Sequence, residues 1–423
     1  MPQSLTIVLG KAIRYAARLR GGGSALPGLF VERISPRFVP DTLAQLPHGV
    51  VVISGTNGKT TTTKMVVSLL ESQGLRVFTN RTGSNFVRGV AAALLGEIDI
   101  KGNLPADIAV LELDEAHAVK FVEVIPPRYS LLLNVMRDQL DRFGEIDSTA
   151  RMLEKVALAT TDTVVMNRED ARVRRIADKL PKTTNVRFFG LSDKLLSHFP
   201  NDDDLHGPLK KTPADKRPAA EVVLKDFNEK GAAFTIAKKD FVTPLKLKGV
   251  YNIYNSAAAL TLVRTIAPEA SMNSLLRALS TVTPAFGRGE TITVAGQPLE
   301  LVLVKNPAGF RLSLESFNPE GYATMIAIND NYADGRDMSW LWDVDFTSLS
   351  SSIYVTGIRA YDMALRLQYD EVSIEKVETE LAAALTDFIQ KHPDTPKRIY
   401  CTYTAMLALR KELGKITQVE VVS

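Results

Sequence analysis

A glycine-rich stretch near residue 55 carries residue types that bind nucleotide phosphates. It reads Gly55-Thr56-Asn57-Gly58-Lys59-Thr60-Thr61. Glycine lets a loop turn tightly and direct backbone amides at phosphate oxygens, a following lysine reaches the terminal phosphates, and the next hydroxyl is a ligand for Mg²⁺. All of these residues are therefore candidates for nucleotide binding, with Lys59 as a catalytic cation and Thr60 as a metal ligand. Only Thr56 and Asn57 separate the glycines, where the common phosphate loop has about four residues.

The elements that must position this stretch are a strand before it and a helix after it. Residues 50–54 form an apolar run that predicts a buried parallel strand, and residues 60–73 have helical spacing. Further apolar runs alternate with helical segments, at 108–113, 129–135, 162–166, 299–304, 323–329, 352–356 and 398–402. This alternation predicts an α/β fold with a mostly parallel sheet, followed by a second, smaller α/β domain.

Three unlike stretches separate the two sets of strands. Residues 195–220 are polar and predict a loop or insertion. Residues 221–248 have the pattern of β-hairpins, and residues 251–280 have that of helices. They place the boundary between the two domains near residue 285.

Composition limits the classes of function. The chain has 423 residues, of which 45% are hydrophobic and 23% charged, as expected for a soluble protein of two or three domains. Its net charge of +3 is too small to argue for nucleic-acid binding. The single cysteine, Cys401, excludes an intrachain disulfide and a cysteine-based zinc site. With no secretory leader and no apolar run of about 18 residues, we expect a cytoplasmic protein.

The N-terminal segment is locally basic. Residues 4–20 read as an amphipathic helix that carries Lys11, Arg14 and Arg18, with Arg20 at its end. Such charges fit a solvated helix face or attraction to an anionic surface, and the sequence leaves both interpretations open.

Further motifs, in order along the chain, resemble the Mur ligase family and its folylpolyglutamate synthetase relatives. The glycine-rich stretch resembles their ATP loop, and Glu112, which ends an apolar strand, stands where the family holds Mg²⁺ with a glutamate. Residues 249–258 resemble the helix start that meets adenine, and they supply Asn252 and Asn255 as nucleotide-binding candidates. Residues 286–290 resemble the linker into the C-terminal domain and supply Arg288.

Two more stretches fit the same family. Asn167-Arg168-Glu169-Asp170 resembles its Asn-x-Asp-Asp element. Residues 137–144 resemble its Asp-His-Leu-Asp segment, although Gln139 replaces the usual metal-binding histidine. Each motif alone has a plainer interpretation: Glu112 as a surface carboxylate, the two asparagines as helix caps, and Arg288 as part of an ion pair. Their common order favours the family.

The resemblance implies a Mur ligase central ATPase domain, a smaller C-terminal α/β domain of Mur ligase type, and ATP and Mg²⁺ as cofactors. We expect an N-terminal helical segment at 1–45, the central domain at 46–285 and the C-terminal domain at 286–423. About 45 residues cannot build the full uridine-nucleotide-binding N-terminal domain of the family, so we expect none.

The C-terminal half resembles the MurT branch of the family, through residues 304–310 and 329–346. This branch is the ligase subunit of a lipid II isoglutaminyl synthase. The resemblance implies that ATP activates the α-carboxylate of D-glutamate in the stem peptide of lipid II as an acyl phosphate, which ammonia converts to D-isoglutamine. Contact of the chain with its membrane-bound substrate would be peripheral.

The ammonia must come from a partner, because Cys401 sits in a predicted strand end and reads as a core residue. The resemblance supplies a GatD-like glutaminase, whose Cys-His pair is completed by an aspartate of the ligase. Asp337 and Asp343 are equal candidates, and Asp345 ranks lower. Trp340 and Trp342 fit either a core or an interface.

Two other functions stay open at this point. One is a stand-alone amino-acid ligase of the Mur or folylpolyglutamate type, and the other is a non-catalytic nucleotide-binding scaffold. Many members of the MurT branch carry a four-cysteine zinc ribbon in the central domain. The corresponding cysteines are absent from this sequence, so we predict no structural zinc.

Overall fold

The structure is a computed structural model that describes residues 3–19, 25–80, 87–136, 146–199, 217–228, 230–247, 249–283, 288–316, 319–349 and 352–419. Contacts between Cα atoms divide the chain into two units. The first comprises Met1–Val135, Asp147–Lys246 and Asn252–Val282, and the second Met136–Ile146, Leu247–Tyr251 and Thr283–Ser423. The motif at 137–144 and most of the predicted polar insertion lie outside the described residues. The domain boundaries at 45 and 285 stay a prediction.

The larger sheet contains, within the described residues, nine strands in the order β2-β3-β1-β4-β5-β6-β7-β8-β9. Strands β1 to β7 are parallel, and β7 to β9 are antiparallel. Their bounds are β1 Val50–Ser54, β2 Val77–Thr79, β3 Ile108–Glu112, β4 Tyr129–Leu132, β5 Thr163–Asn167, β6 Asn185–Leu191, β7 Val222–Asn228, β8 Gly231–Ile236 and β9 Lys239–Pro244.

The described helices of this part of the chain are α1 Gln3–Leu19, α2 Ala25–Ile34, α3 Phe38–Leu43, α4 Lys59–Glu71, α5 Val87–Glu97, α6 Glu115–Val122, α7 Ile146–Leu158, α8 Ala171–Ile176, α9 Val250–Ile266 and α10 Met272–Thr281. Every residue of β1, β3, β4 and β5 is buried. Parallel strands covered on both faces have this continuous apolar pattern, which is why the sequence predicted them.

The antiparallel end of this sheet confirms the predicted hairpin pattern. Strand β8 alternates buried and half-buried residues, as expected when one face meets the core. Ala237 and Lys238, between β8 and β9, have positive φ angles of 48° and 66°. Two such residues make the tight turn whose twist matches that of a hairpin.

The second unit contains a six-stranded sheet among its described residues, in the order β10-β11-β15-β12-β13-β14. Only β10 runs antiparallel to its neighbour. The strands are β10 Arg288–Val294, β11 Gln297–Leu303, β12 Ala323–Ala327, β13 Ile353–Thr356, β14 Ile374–Glu378 and β15 Lys397–Cys401. The helices are α11 Pro307–Ser316, α12 Ala360–Tyr369, α13 Leu381–Lys391 and α14 Tyr403–Leu413.

Aromatic side chains fill one face of the smaller sheet. The ring of Phe310 lies 5.0 Å from that of Phe346 and 5.4 Å from that of Tyr400, measured between centroids. Trp340 packs against the same core, whereas Trp342 is exposed. Cys401 is fully buried in the core on the other face, as predicted.

Candidate active site

The glycine-rich loop lies between β1 and α4, and β1 has β3 on one side and β4 on the other. Ligands of open α/β sheets bind at the carboxyl ends of strands where the strand order reverses, which is this point. Gly55 and Gly58 have positive φ angles of 130° and 90°. A Cβ on Gly58 would lie 2.0 Å from Nδ2 of Asn255, so only glycine fits there.

Asn134, two residues after β4, holds the loop from the neighbouring strand. Its Oδ1 accepts a hydrogen bond from the Asn57 amide at 2.8 Å, and its Nδ2 donates to the Asn57 carbonyl at 2.9 Å. The backbone carbonyl of Asn134 also accepts from the Thr56 amide at 3.0 Å. These contacts fix the loop before any ligand arrives, which lowers the entropic cost of binding.

Lys59 begins α4 and is buried beneath the loop. Its Nζ donates to the Gly55 carbonyl at 2.5 Å and lies 3.5 Å from Oε2 of Glu115, which is also buried. The ammonium group therefore has a fixed position inside the turn. Sequence reasoning missed Glu115, although it belongs to the acidic run that contains Glu112.

Thr60 and Glu112, the two residues predicted to bind Mg²⁺, come together from α4 and the end of β3. The Thr60 hydroxyl donates to Oε1 of Glu112 at 2.8 Å. Asn80 fixes the backbone of Glu112 on both sides: its Nδ2 donates to the Glu112 carbonyl at 2.8 Å, and its Oδ1 accepts from the Glu112 amide at 3.0 Å. A hydroxyl and a carboxylate are hard oxygen donors of the kind that Mg²⁺ prefers, so the pair fits this ion.

Sequence reasoning missed Asn80, which follows the short strand β2. The apolar run Val77-Phe78-Thr79 before it was the available signal. It is only three residues long, too short to be distinguished from a helical segment by periodicity.

Two buried polar atoms beside the loop lack hydrogen-bond partners among the described residues: Oγ1 of Thr61 and Nδ2 of Asn255. Buried polar atoms are nearly always paired, so these two indicate where a ligand would bind. Asn252 is half-buried one turn earlier on α9. The side chain of Arg288 lies outside the described part of the chain, and its predicted role stays a prediction.

The element at 167–170 links the ends of β4 and β5. Asn167 donates through Nδ2 to the Leu133 carbonyl at 2.8 Å and accepts through Oδ1 from the Tyr254 hydroxyl at 2.6 Å. Asp170 accepts from the Val135 amide at 2.7 Å and caps the N-terminus of α8. Burial raises the pKa of Asp170, and its bonds to backbone amides oppose that rise. Asn167 and Asp170 thus hold the backbone that follows β4, the strand next to the glycine-rich loop.

Residues 329–346, which we call the acid-rich segment, follow β12 in the second unit, and the three candidate aspartates there differ in exposure. Asp337 is exposed and accepts from the Ser339 amide at 2.9 Å, and hydrogen bonding from Ser339 lowers its pKa. Asp343 is half-buried at the end of the 3-10 helix Ser339–Asp343. Asp345 is exposed, and hydrogen bonds from the amide and hydroxyl of Thr347 lower its pKa.

One buried aspartate anchors the start of this segment. Asp334 accepts from the Thr404 amide at 2.7 Å and from its hydroxyl at 2.5 Å, at the beginning of α14. It also accepts from the Asn331 amide at 3.1 Å. Burial raises the pKa of Asp334, against the effect of Thr404. The buried Asp334 carboxylate therefore holds the start of the acid-rich segment against α14. Asp337, three residues later, is exposed at the surface.

Exposed apolar side chains adjoin the same segment. Trp342 is 49% exposed and packs edge-on against Tyr369, with 5.0 Å between ring centroids. Tyr361, Leu365 and Tyr369 are exposed along one side of α12. Aromatic surface of this kind is typical of protein interfaces.

Two family models match the chain. The Mur ligase middle domain matches residues 53–263, and the MurT ligase C-terminal domain matches residues 303–406. Among curated proteins, the chain is similar to the "Lipid II isoglutaminyl synthase (glutamine-hydrolyzing) subunit MurT" of Streptococcus pneumoniae, with 30% identity over 97% of each chain. It is also similar to the protein of that name from Staphylococcus aureus, with 31% identity over 88% of this chain and 89% of the relative.

Solved structures show the same fold. MurF from Acinetobacter baumannii aligns with a TM-score of 0.69 and 19% identity, over 92% of this chain and 80% of that one. MurF ligase from Thermotoga maritima, solved in complex with ADP, aligns with a TM-score of 0.65 and 18% identity, over 89% and 83% of the two chains. These likenesses confirm the predicted α/β architecture of two sheet-containing parts.

Proposed function

We propose a function from the premise that this chain is a MurT-type member of the Mur ligase family, as its match along nearly the whole of a curated relative establishes. The chain is the ligase subunit of a lipid II isoglutaminyl synthase. It uses ATP to convert the D-glutamate α-carboxylate of the lipid II stem peptide to the amide of D-isoglutamine. The contact of Thr60 with Glu112, next to buried Lys59, is the observation that carries this proposal.

A carboxylate resists attack by ammonia because its leaving group would be oxide. One carboxylate oxygen therefore attacks the γ-phosphorus of ATP, the bond from that phosphorus to the bridging oxygen breaks, and ADP leaves. Ammonia then attacks the carbonyl carbon of the acyl phosphate. The bond from that carbon to the phosphate oxygen breaks, and the proton that the nitrogen loses is taken up by the departing phosphate, which becomes hydrogen phosphate. The protein's task in both steps is to hold the reactants and stabilise the charge on phosphoryl oxygens.

The glycine-rich loop does the first part of this task. Its preorganised amides and the Lys59 ammonium face the phosphates, and Lys59 stabilises the negative charge that develops on the transferring phosphoryl group. Glu115, with Oε2 3.5 Å from Nζ, helps to hold the lysine side chain in place. The unpaired Asn255 Nδ2 and Thr61 Oγ1 satisfy their hydrogen bonds on the nucleotide.

Thr60 and Glu112 are the residues that would hold Mg²⁺. When bound, the ion would supply positive charge that offsets the negative charge of the phosphates. Asn80 fixes Glu112 through its backbone, so the carboxylate meets the Thr60 hydroxyl without rearrangement. We keep the prediction of no structural zinc, which metal analysis of the purified protein tests.

The nitrogen comes from a glutaminase subunit of GatD type. Cys401, the single cysteine, is buried and cannot act as a glutaminase nucleophile at the surface. A partner's Cys-His pair needs an orienting acid that is ionised and accessible. Asp337 and Asp345 are both exposed and both have a lowered pKa, whereas Asp343 is half-buried. We take Asp337 as the first candidate because the resemblance to the MurT branch ranks it above Asp345, and we keep Asp343 as the alternative. The exposed aromatic side chains Trp342 and Tyr369 then lie in the surface that meets the partner.

Assay of the chain with ATP, Mg²⁺, lipid II and ammonium chloride tests the activity directly. We expect slow amidation by the chain alone and faster amidation when glutamine and the glutaminase subunit replace ammonium. Mass spectrometry of the product distinguishes amidation from the addition of an amino acid. Addition of an amino acid would support a stand-alone ligase, and lack of ATP turnover with every substrate would support a scaffold.

Two further proposals follow from this function. We assign the three segments at 1–45, 46–285 and 286–423 to the N-terminal, central and C-terminal parts of the enzyme. We also place the enzyme in the cytoplasm at the inner face of the membrane, where a lipid-linked precursor exposes its peptide. None of the helices in the described part of the chain has both the length and the hydropathy of a membrane span. We propose that contact with the lipid-linked substrate is peripheral to the membrane.

A further inference from the structure

Helix α1 presents an unusual outer surface. Val8, Leu9, Ala12 and Tyr15 are all exposed, with 51% of Val8 and 68% of Tyr15 accessible to solvent. A surface helix normally turns its apolar side inward and its charged side to water. On α1 the exposed arc described by these residues contains no charged side chain.

The orientation of α1 is fixed by close packing on its inner side. Ile7 is fully buried. A Cβ on Gly10 would lie 2.8 Å from the Leu95 side chain of α5 and 2.9 Å from Val31 of α2, so the three helices meet closely there. Rotating α1 to bury its apolar arc would break this contact, and the arc therefore faces outward in the folded unit.

The cations of α1 also hold this orientation. Lys11 donates from Nζ to the Ile98 carbonyl at 2.5 Å, just beyond the end of α5. The Arg14 guanidinium lies against Gly96 on the same helix. Both side chains are half-buried, so they do not form a fully solvated charged face. They lie on the inner side, and the apolar arc lies on the outer side.

A neighbouring helix extends the apolar surface. α2 packs against α1 and α5 and exposes Leu26 and Leu29, with 59% of Leu26 accessible. Arg33 follows on the same side of α2 and is exposed. Residues 1–31 contain four cations, Lys11, Arg14, Arg18 and Arg20, and no acidic residue. An apolar surface on a locally positive segment is complementary to an anionic bilayer, which takes apolar side chains at its interface and attracts positive charge.

We propose that α1 and α2 form a membrane-docking surface that lies on an anionic lipid bilayer and brings the active site to its lipid-linked substrate. The α1 helix has 17 residues and is about 25 Å long. It lies parallel to the bilayer, with Val8, Leu9 and Tyr15 inserted among the headgroups. The position of this surface is inferred from the exposed apolar arc of α1. Its role, access to a lipid-linked substrate, rests on the proposed function.

Vesicle sedimentation of the full-length chain tests the surface. We expect binding to phosphatidylcholine vesicles that contain phosphatidylglycerol, weaker binding without it, and further weakening at high salt. The variant Val8→Ser/Leu9→Ser/Tyr15→Ser should lose binding by on the order of tenfold or more. The matched control Val124→Ser/Leu158→Ser/Val242→Ser removes exposed apolar side chains elsewhere in the same unit and should bind as the unmodified chain does.

A reporter that does not depend on the stability of the triple variant complements this test. Tyr15→Trp should show a blue shift of fluorescence on addition of anionic vesicles, and Val242→Trp should show none. No shift in Tyr15→Trp, or equal vesicle binding by the triple variant and the unmodified chain, would overturn the proposal. Loss of a dimer in the triple variant, without vesicles, would assign the arc to a second copy instead.

Amidation assays separate this proposal from the proposed function. With lipid II dispersed in detergent and ammonium as donor, the triple variant should keep its turnover, since the phosphate loop is unchanged. With lipid II embedded in vesicles, its turnover should fall together with its binding. If the unmodified chain bound vesicles but amidated nothing, the docking surface would stand and the proposed function would fail.

Discussion

The phosphate loop and the acid-rich segment both follow buried parallel strands, β1 and β12, but they hold their polar side chains in opposite ways. In the loop, the functional groups are buried and bonded to distant parts of the chain: Thr60 to Glu112, Lys59 to Glu115. In the acid-rich segment, Asp337 and Asp345 are exposed and accept hydrogen bonds from residues two positions away. The first arrangement is complete within the chain, and the second leaves carboxylates available to another molecule.

This contrast explains what each region requires for chemistry. Phosphoryl transfer depends on charges fixed in a site from which water is excluded, so the ligase site must be preorganised by its own fold. An acid that orients a partner's histidine must reach across an interface and remain ionised before the partner arrives. The Ser339 contact lowers the pKa of Asp337 and so favours the ionised form.

The largest effect should come from Lys59→Ala. Removing the buried ammonium should lower amidation by on the order of 10³-fold with either ammonium or glutamine as donor, because the activation step is shared. Lys64→Ala, on the exposed side of the same helix, is the control and should remain near the unmodified rate. Thermal melting must accompany the assay, since the variant leaves buried Glu115 without its ion pair. A substantial rate in a folded Lys59→Ala protein would refute its role.

Asp337→Asn should separate the two regions. With glutamine and the partner subunit, amidation should fall by on the order of 10²-fold through a misplaced histidine. With ammonium it should stay nearly unchanged, because the loop is intact. Asp343→Asn and Asp345→Asn are matched controls within the same segment. If Asp343→Asn alone gave this split, Asp343 would be the orienting acid, and if none did, the proposed role of the segment would fall.

The strands could be predicted from the sequence where burial on both faces requires a continuous run of apolar residues. Strands β1, β3 and β5 are buried on both faces and appear as apolar runs. Strand β14 was missed because all of its residues, Ile374–Glu378, are only half-buried and include charged side chains. Strand β6 was missed because its first half, near Arg187, is not buried and only its second half is apolar.

The candidate site was likewise predicted only in part. The loop residues were predictable because glycine, lysine and hydroxyl types must occupy fixed positions around a phosphate, and Glu112 was predicted through the resemblance to the Mur ligase family. Asn80 and Glu115 were missed because neither residue type is required by the phosphate-binding pattern, and their contacts with residues 32 and 56 positions away arise only on folding. The inward orientation of Lys11 and Arg14 was equally hidden, since their charge suggested solvent.

Glu112→Gln should have an intermediate effect on amidation, mainly through weaker Mg²⁺ binding. Loss of the negative charge should weaken Mg²⁺ binding by on the order of 10- to 100-fold, so the rate should recover partly as Mg²⁺ is raised. Titrations of activity against Mg²⁺, with Glu123→Gln as the exposed control on the same unit, measure this shift. An unchanged Mg²⁺ dependence would show that Glu112 is not a metal ligand. It would also weaken the contrast between the phosphate loop and the acid-rich segment.

Cys401→Ala should have the smallest effect on activity and thereby test whether the chain contains only the ligase half of the chemistry. The thiol is buried beneath the second sheet, with Sγ 3.8 Å from the Val302 carbonyl. Its loss should cost about 1 kcal/mol of stability through a small cavity, measurable by denaturant unfolding. Glutamine-driven amidation with the partner subunit should stay within about twofold, since the nucleophile that releases ammonia belongs to the partner. Loss of glutamine use with ammonium use retained would instead place that nucleophile in this chain, and the division of labour between the two regions would have to be redrawn.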